Sequence, residues 1–316
     1  MDDEFAKIDW LSTHLGPALP SLSRVLVGIG DDAAVVDFEG KPVVVTVDTQ
    51  VEGVHFRRST ITPADLGVRA LIAAASDVWA MGATPTTAVV AITLPEEFED
   101  ADFRSLIDGV REGSNLIGSS VVGGNLSRAA QLTITTTVLG ATAAPAIRRD
   151  GASAGDRIYV TGTLGGAALG LQLIERDADL ESFGEFVRRW RRPPTHRGFE
   201  SLLRTAATAA IDVSDGCLQD LGHVCRASGT GATIRADALP LAPKFEEACR
   251  ALDLDPRSVA LNGGEDYEIL FTAPAEVEPL EGSTWIGDVT SEPRVVVEDG
   301  RGREIEPGAA GYRHFS

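Results

Sequence analysis

Lysine is scarce in this sequence, and acidic residues far outnumber basic ones. Only Lys7, Lys41 and Lys244 occur among 316 residues, and 28 Lys and Arg side chains stand against 47 Asp and Glu, for a formal net charge of −19. An electrostatic field of this sign repels nucleic acid and anionic membrane surfaces, which bind clustered basic side chains. We therefore expect neither nucleic acid nor a membrane as a partner.

Cysteine and long apolar runs are also scarce. Cys217, Cys225 and Cys249 lack the C-x-x-C spacing of zinc and redox sites, which favours ordinary core thiols in a reducing compartment. The N-terminus, Met1-Asp-Asp-Glu4, is acidic and lacks the pattern of a secretory signal. The longest uncharged run, Ala129 to Ile147, is too rich in threonine for a membrane span. These features predict a cytoplasmic protein.

The length of the chain predicts two domains. A chain of 316 residues, 43% hydrophobic and 24% charged, is longer than one hydrophobic core usually supports. The stretch Ala141–Gly155 is rich in Ala, Pro, Gly and Arg and separates two regions of strand and helix patterns. We predict an N-terminal domain over residues 1–145 and a C-terminal domain over residues 146–316.

Strands and helices follow one another in both halves without strict β-α-β alternation, which predicts the α+β class with two mixed α/β domains. The predicted strands are the β-branched runs Arg24–Gly30, Ala33–Val36, Val43–Asp48, Ala88–Leu94, Ser120–Val122, Leu132–Leu139, Arg157–Thr161, Ala210–Val213 and Tyr267–Thr272. Helices are predicted over Pro63–Met81 with Thr62 as N-cap, over Phe103–Ile117, around Thr195–Ala209 and from Cys217.

The segment Gly28-Ile-Gly30-Asp-Asp-Ala33 imitates the start of a dinucleotide-binding fingerprint, with Asp48 at roughly the distance of the ribose-binding acid. In such a fingerprint a helix N-terminus receives the pyrophosphate, but here two carboxylates occupy that position and a strand follows. A phosphate without metal would be repelled by Asp31 and Asp32. The segment therefore favours a divalent-cation site over a dinucleotide site, with a simple acidic turn as the alternative.

Further aspartates lie in apolar surroundings. Asp77 belongs to a predicted helix that is apolar on nearly every face, so its carboxylate needs a cation, a cluster of N–H donors or a raised pKa. Asp48 ends an apolar strand, and Asp212 and Asp215 flank a strand end before Gly216. For Asp77, local N–H donors remain an alternative to metal coordination, and each of the other aspartates alone is weak evidence.

Taken together, these aspartates indicate a site for hard cations. Asp32, Asp48, Asp77, Asp212 and Asp215 lie beside glycine turns, and carboxylate oxygens are the ligands of Mg²⁺, which usually acts together with phosphate. The sequence contains neither a Walker A motif nor a His-Arg-Asp catalytic loop. The pattern therefore indicates a metal–nucleotide site that holds phosphate in another way.

Glycine turns and two arginines are candidates for holding the phosphate. The segments Gly123-Gly124, Gly162-Thr-Leu-Gly165-Gly166 and Gly263-Gly264 adjoin predicted strand ends and offer backbone N–H donors. Tight packing explains any one of them equally well. Arg148 and Arg149 are placed to clamp a phosphate, with a solvated pair as the alternative.

Several of these segments belong to a series of short motifs that extends from near the N-terminus to the C-terminus of the chain. They are Gly28-Ile-Gly-Asp-Asp-Ala33, Val47-Asp-Thr49 with Gly53-Val-His-Phe56, Ser76-Asp77 with Ala80-Met-Gly-Ala83, Gly123-Gly124, Val160-Thr-Gly162, Ala210-Ile-Asp-Val-Ser-Asp-Gly216, Gly263-Gly-Glu-Asp-Tyr-Glu268 and Gly311-Tyr-Arg-His-Phe315. Together they resemble the thiamine-monophosphate kinase family, within the larger group that contains aminoimidazole ribonucleotide synthetase and selenophosphate synthetase. The aspartate–glycine turns indicate the larger group, whereas Gly-Val-His-Phe and the aromatic-x-His-Phe ending indicate the kinases.

The resemblance implies a two-domain α+β fold of the aminoimidazole ribonucleotide synthetase-like type, a homodimer joined through the N-terminal sheets, and an active site lined by both domains. It implies transfer of the γ-phosphoryl group of ATP to thiamine monophosphate with several Mg²⁺ ions, and it leaves a monovalent-cation requirement open. One alternative is a related ATP-dependent enzyme that acts on another small molecule. The other is a dimeric nucleotide- or thiamine-phosphate-binding protein whose catalysis has lapsed.

The resemblance also assigns roles to individual residues. The implied metal ligands are Asp32, Asp48, Asp77, Asp212 and Asp215, with Thr46, the carbonyl of Val47 and Asn125 as further ligands. The implied nucleotide contacts are Gly124, Asn125, Arg149 and Ser214, and the implied substrate-binding residues are His55, Glu265 and Tyr312. Catalysis is assigned to the five aspartates and Arg149.

Asn125 departs from the family pattern. The family usually reads Gly-Gly-Asp where this chain reads Gly123-Gly124-Asn125, so a metal-binding carboxylate is replaced by a neutral amide whose oxygen can still ligate Mg²⁺. We predict weaker Mg²⁺ binding and slower turnover than with aspartate, so Asn125→Asp should raise both turnover and Mg²⁺ affinity. Steady-state kinetics over a Mg²⁺ titration measures both quantities, and unchanged values would contradict a metal-binding role for position 125.

Overall fold

The computed structural model describes residues 24–143, 145–178 and 180–306, together with Trp10 and Thr13. It contains two six-stranded mixed sheets with helices packed against them, one formed before residue 142 and the other after residue 156. This arrangement confirms the α+β class with two mixed α/β units, while the domain limits at residues 145 and 146 stay a prediction. No helix in the described part of the chain is long and apolar enough to cross a membrane.

The first sheet contains the strands β1 (Arg24–Val27), β2 (Ala34–Phe38), β3 (Lys41–Val51), β4 (Thr84–Leu94), β5 (Ser120–Arg128) and β6 (Thr133–Ala141). Their order across the sheet is β1-β2-β3-β6-β4-β5, and all neighbours are antiparallel except β4 and β5. Its helices are α1 (Pro63–Ala80) and α2 (Asp100–Ile117).

The second sheet contains the strands β7 (Arg157–Thr161), β8 (Ala209–Val213), β9 (Gly231–Arg235), β10 (Glu268–Ala273), β11 (Ser283–Thr290) and β12 (Val295–Glu298). Their order is β12-β9-β11-β7-β10-β8, and only β12 and β9 are parallel. The helices of this half are α3 (Gly166–Glu175), α4 (Leu180–Arg191), α5 (Phe199–Ala206), α6 (Cys217–Ser228), α7 (Phe245–Ala251) and α8 (Pro256–Asn262).

Helix α1 lies between the two sheets and is buried along nearly its whole length. It begins as predicted after Thr62, whose side-chain oxygen accepts the Asp65 N–H at 3.1 Å, and Gly82 with a φ of 68° follows its C-terminus. The core around α1 combines apolar residues of the first sheet with Tyr159 and Phe271 of the second. The helix therefore positions side chains that face both sheets.

The predicted glycine turn after Val122 is wrong, because β5 continues through Gly123 and Gly124 to Arg128. A Cβ on Gly124 would lie 1.7 Å from the carbonyl oxygen of Val90 on β4. Glycine is therefore required here by the close approach of two backbones. The tight-packing alternative thus explains Gly124 without a bound phosphate, whereas a Cβ on Gly123 would meet no atom within 4 Å.

Two glycines let α1 and α2 cross at close range. A Cβ on Gly109 would lie 2.0 Å from the carbonyl oxygen of Ala64, and a Cβ on Gly67 would lie 2.4 Å from that of Leu106. A carbon and an oxygen cannot approach so closely, so α1 and α2 can pack at this distance only with glycine at these two positions. The close packing fixes α1 against α2.

Replacing Gly109 by alanine should push α1 away from α2 and lower the free energy of unfolding by about 1–3 kcal/mol. Gly184→Ala on α4 is the matched control, because a Cβ there meets no atom within 4 Å. Because alanine is favoured over glycine in a helix by about 1 kcal/mol, this control should not lower the free energy of unfolding. Urea unfolding of both variants measures the difference, and equal stabilities would show that the crossing tolerates a methyl group.

Candidate active site

Three aspartates from distant segments meet between the two sheets. Asp32 comes from the turn between β1 and β2, Asp77 from α1, and Asp212 from β8. One carboxylate oxygen from each of them lies within 4.8 Å of the other two. The structure thus brings together three of the five aspartates that were predicted as metal ligands, and we call this group the aspartate cluster.

Adjacent residues of α1 connect the cluster to both sheets. The hydroxyl of Thr46 on β3 donates to Asp77 Oδ2 at 2.5 Å, and the hydroxyl of Ser76 donates to Asp212 Oδ2 on β8 at 2.6 Å. Asp77 thus contacts the first sheet while Ser76 contacts the second. The separation of the carboxylates therefore depends on the position of this one helix.

Arg149 pairs with the third carboxylate of the cluster. Its Nε donates to Asp32 Oδ1 at 2.9 Å, a second guanidinium nitrogen donates to the same oxygen, and its side chain is 20% exposed. The hydroxyl of Ser228 donates to the Arg149 carbonyl at 2.9 Å and holds its backbone. Arg149 is thus fixed beside the cluster, whereas Arg148 pairs with Asp150 at the surface.

Burial raises the pKa of all three carboxyl groups. Desolvation raises the pKa of Asp32 to about 7 although the charge of Arg149 opposes the shift. The pKa of Asp212 is also raised by desolvation, and that of Asp77 is raised by desolvation and by the charges of the other two aspartates. Asp32 Oδ2 is buried and has no hydrogen-bond partner among the described residues. An unpartnered oxygen and an all-carboxylate donor set fit a hard divalent cation.

A cavity of about 770 Å³ opens beside the cluster. The carboxylate residues in its lining are Asp48, Asp77, Asp212, Asp215 and Glu265, and no Lys or Arg in the described ranges lines it. Its apolar wall is formed by Leu171, Leu254, Val259 and Tyr267, among others. The volume is that of a typical small-molecule site, and the charge of its lining is strongly negative.

Asp48 and His55 lie on the first-sheet side of the cavity. β3 extends to Val51, so Asp48 lies within the strand and not at its end as predicted. Desolvation raises the pKa of Asp48. His55 Nδ1 accepts the backbone N–H of Val51 at 3.0 Å, which makes Nε2 the protonated nitrogen of a neutral imidazole.

Asp215 and Ser214 line the cavity, but Asp215 groups with Asp220 and His223 and not with the aspartate cluster. A carboxylate oxygen of Asp215, one of Asp220 and a ring nitrogen of His223 lie within 4.8 Å of one another. Asp220 Oδ2 accepts the N–H of Ser214 at 3.1 Å, of Asp215 at 3.1 Å and of Gly216 at 3.0 Å. Asp220 therefore holds the turn that presents Asp215 and Ser214 to the cavity.

The glycine turn from Gly162 to Gly166 donates to a protein carboxylate. Buried Asp266 accepts the N–H of Gly165 and, at 3.0 Å, that of Ala167 at the start of α3. Desolvation raises the pKa of Asp266 to about 7. The N–H of Gly165, one of the donors predicted to bind phosphate, is thus used inside the protein.

Gly124 and Asn125 lie on β5, away from the aspartate cluster. Across the sheet Asn125 is in register with Ala91, Thr135 and Thr49, the last of which follows Asp48 in β3. With about 4.8 Å between neighbouring strands, roughly 14 Å separates the backbones of Asn125 and Thr49. Asn125 and Gly124 line a second cavity of about 530 Å³ beside α2. Their assigned metal and nucleotide roles stay predictions.

The remaining assigned positions have different surroundings. Glu265 lines the cavity, where its Oε2 accepts the indole N–H of Trp190 at 2.7 Å. Thr46 is bound to Asp77, and Val47 lines the cavity with an exposed side chain. Tyr312 and the rest of the Gly311–Phe315 motif lie outside the described residues. Their assigned roles also stay predictions.

Three buried polar residues near the cavity have no role that the sequence motifs predicted: Arg69, Ser76 and Asp220. Arg69 carries a signal, because it is the one charged residue between Asp65 and Asp77 in an otherwise apolar helix. Ser76 stands in a recognised motif without an assigned function. Asp220 follows the glycine turn by one helical turn, the spacing at which an acidic side chain can accept N–H groups of the preceding turn.

Known proteins match the chain along most of its length. The family model described as AIR synthase related protein, N-terminal domain, matches residues 30–142, and the corresponding C-terminal domain matches residues 153–299. The thiamine-monophosphate kinase of Aquifex aeolicus is 35% identical over 290 residues, covering 91% of this chain and 92% of the relative. That of Mycobacterium tuberculosis is 37% identical over 317 residues, covering 99% and 91%. The solved structure "AaThiL complexed with AMPPCP and TMP" is 32% identical, covers 99% of this chain and 97% of that one, and has a TM-score of 0.89.

The raised pKa values predict how pH and Mg²⁺ act on stability. Between about pH 4 and pH 7 the unfolded chain loses protons that the folded cluster retains, so the metal-free protein should lose stability as the pH rises through this range. A divalent cation at the cluster would bind the deprotonated carboxylates. The increase in Tm on adding Mg²⁺ to EDTA-treated protein should therefore be larger at about pH 7.5 than at about pH 5.5.

Two variants control this measurement by scanning calorimetry. Asp212→Asn removes a carboxylate of the cluster and should abolish most of the Mg²⁺-dependent increase in Tm. Asp108→Asn on α2 removes a surface carboxylate whose side chain is 68% exposed, and it should keep the increase. Equal increases at both pH values, or in both variants, would contradict a cation site at the cluster.

Proposed function

This chain belongs to the thiamine-monophosphate kinases within the AIR synthase related family, and we propose that it transfers the γ-phosphoryl group of ATP to thiamine monophosphate, giving thiamine diphosphate and ADP. The observation that most directly supports the proposal is the cluster of Asp32, Asp77 and Asp212 beside a cavity of about 770 Å³. A relative with 32% identity was solved with AMPPCP and TMP, which agrees with a site for a nucleotide and a thiamine phosphate.

The cluster is the proposed seat of Mg²⁺. Asp32, Asp77 and Asp212 would hold it, with Asp48 and Asp215 contributing from the cavity wall. When bound, Mg²⁺ would neutralise phosphate oxygens and so supply the positive charge that the lining of the cavity lacks. Thr46 and Ser76 keep Asp77 and Asp212 oriented for that task through their hydroxyl groups.

The chemistry of the acceptor requires no general base. A phosphate monoester has a second pKa of about 6, so it is mostly a dianionic nucleophile at neutral pH. The obstacle is repulsion, since two unit charges about 4 Å apart repel by roughly 4 kcal/mol at an effective dielectric of about 20. Arg149, fixed beside Asp32, is placed to neutralise the phosphate in transfer. The proposed mechanism is direct in-line transfer without a phosphorylated enzyme.

The thiamine end of the substrate is assigned to the part of the cavity between His55 and Glu265. His55 contributes a polar imidazole to this part of the lining, and its Nδ1 accepts the Val51 N–H. Leu171 and Tyr267 supply apolar surface for a ring. The described residues on this side thus combine polar ends with an apolar wall, which suits an aromatic ligand that carries a phosphate.

The same proposal includes a homodimer joined through the first sheet. Exposed large apolar side chains concentrate there, among them Phe38, Val47, Val122 and Leu126. β5 is exposed along its whole length and forms an edge of the sheet. Unprotected edges and apolar patches of this kind are typical of association surfaces.

A coupled ADP-release assay tests the proposed function. With ATP and Mg²⁺, the protein should release ADP when thiamine monophosphate is added, and much more slowly with a panel of other phosphate monoesters. Asp215→Asn should lower the rate by orders of magnitude with an unchanged fold, because it removes a carboxylate proposed to help place the cation. Asp108→Asn, exposed on α2, should have the wild-type rate.

Other outcomes would support the alternatives. Stimulation by a different acceptor would indicate a related ATP-dependent enzyme, and calorimetric binding of thiamine monophosphate without turnover would indicate a binding protein. Radioactive phosphate trapped on the protein during turnover would contradict direct transfer. Full activity of Asp215→Asn would show that the role of Asp215 is misassigned.

A further inference from the structure

A buried arginine outside the aspartate cluster joins α1 to the wall of the cavity. Arg69 is 0% exposed, and its guanidinium donates to three groups on three segments: Gln50 Oε1 at 3.3 Å, the carbonyl of Trp190, and the carboxylate of Glu265. It also lies over the Trp190 ring, 5.0 Å from the ring centroid. A planar fork with this many partners fixes the relative positions of the segments it contacts.

Glu265 is held from two sides. Its Oε1 accepts from Arg69 and its Oε2 accepts the indole N–H of Trp190 at 2.7 Å, so both oxygens have protein donors. Its backbone N–H donates to the carbonyl of Ser214 at 2.7 Å. The side chain is still 26% exposed, and the residue lines the cavity. Glu265 therefore presents a carboxylate of fixed orientation to the ligand space.

The backbone around Glu265 is strained. Glu265 has a φ of 68° and Tyr267 a φ of 50°, in the left-handed region that side chains other than glycine rarely adopt. Tyr267 is buried, lines the cavity, and places its ring 5.8 Å from the Arg69 guanidinium. Glu265 and Tyr267 thus both contact the guanidinium of Arg69, which stabilises the conformation of this part of the wall.

We propose that Arg69 is a positioning residue for the thiamine end of the substrate, acting through Glu265 and Tyr267 without contacting the ligand. The inference rests on the proposed function. Arg69 donates its hydrogen bonds to Gln50, Trp190 and Glu265 and not to the aspartate cluster, where the phosphates are assigned, although its charge does act on Asp48. A variant that keeps this charge but loses the planar fork should therefore disturb the thiamine end selectively.

Arg69→Lys is that variant. We expect the KM for thiamine monophosphate to rise about tenfold or more because the wall is no longer held in place, while the KM for ATP and kcat stay within about twofold of wild type. Arg204→Lys is the matched control, since Arg204 also joins the two halves by donating to the carbonyl of Gly82, but its hydrogen-bond partners Gly82 and Ser201 do not line the cavity. It should leave both KM values unchanged.

The outcomes separate the inference from the proposed function. A wild-type protein without thiamine monophosphate-dependent ADP release would overturn the proposed function. An active wild type together with an Arg69→Lys variant of unchanged KM would overturn only the role of Arg69. Equal increases in both KM values, or a loss in kcat alone, would also overturn it, because they indicate a general structural effect.

A second variant decides the case in which Arg69→Lys does not fold, as judged by circular dichroism. Glu265→Gln leaves Arg69 in place and removes the charge that pairs with it. It should raise the KM for thiamine monophosphate selectively, and an unchanged KM would overturn the inference. If both variants fold, the double variant should be no worse than the poorer single variant, and additive increases in KM would contradict a shared role.

Discussion

Three carboxyl groups buried within 4.8 Å of one another set the condition that the rest of the site must meet. Removal from water raises the pKa of each group, and the mutual repulsion of the charges raises that of Asp77 further. Arg149 offsets part of this charge at Asp32, yet Asp32 Oδ2 has no partner among the described residues. Such a group is stable only with bound protons or with a bound cation, so the fold carries a built-in requirement for positive charge.

Helix α1 is the element that sets the dimensions of this cluster. Ser76 and Asp77 are adjacent in sequence but contact different sheets. Ser76 donates a hydrogen bond to Asp212 of the second sheet, and Asp77 accepts one from Thr46 of the first. The glycine crossing at Gly67 and Gly109 fixes the same helix against α2. About two helical turns before Ser76, Arg69 donates to Glu265 in the wall of the cavity. The geometry of the site therefore depends directly on how α1 is packed.

The sequence predicts the site best where the polarity of a residue differs from that of its neighbours in the chain. Acidic residues in apolar runs, such as Asp77, predict a site because burial of a lone carboxylate is costly, and the cap at Thr62 is a local signal that the structure confirms. The glycine turns mislead because their N–H groups can be satisfied by residues distant in sequence. Asp266, about a hundred residues away, accepts from Gly165, and this pairing exists only in the folded chain. The position of Asn125 likewise follows from strand order, which local patterns do not encode.

Net acidity and phosphorylated ligands are reconciled by the distribution of charge around the cavity. Its described lining carries five carboxylates and neither Lys nor Arg, while Arg69 and Arg149 are paired with Glu265 and Asp32. Under the proposed function, a phosphate chain enters only together with cations, whereas the positively charged thiazolium ring of thiamine is attracted by the same lining. The net charge of −19 that disfavours nucleic acid therefore favours a small ligand with a cation at one end and a phosphate at the other.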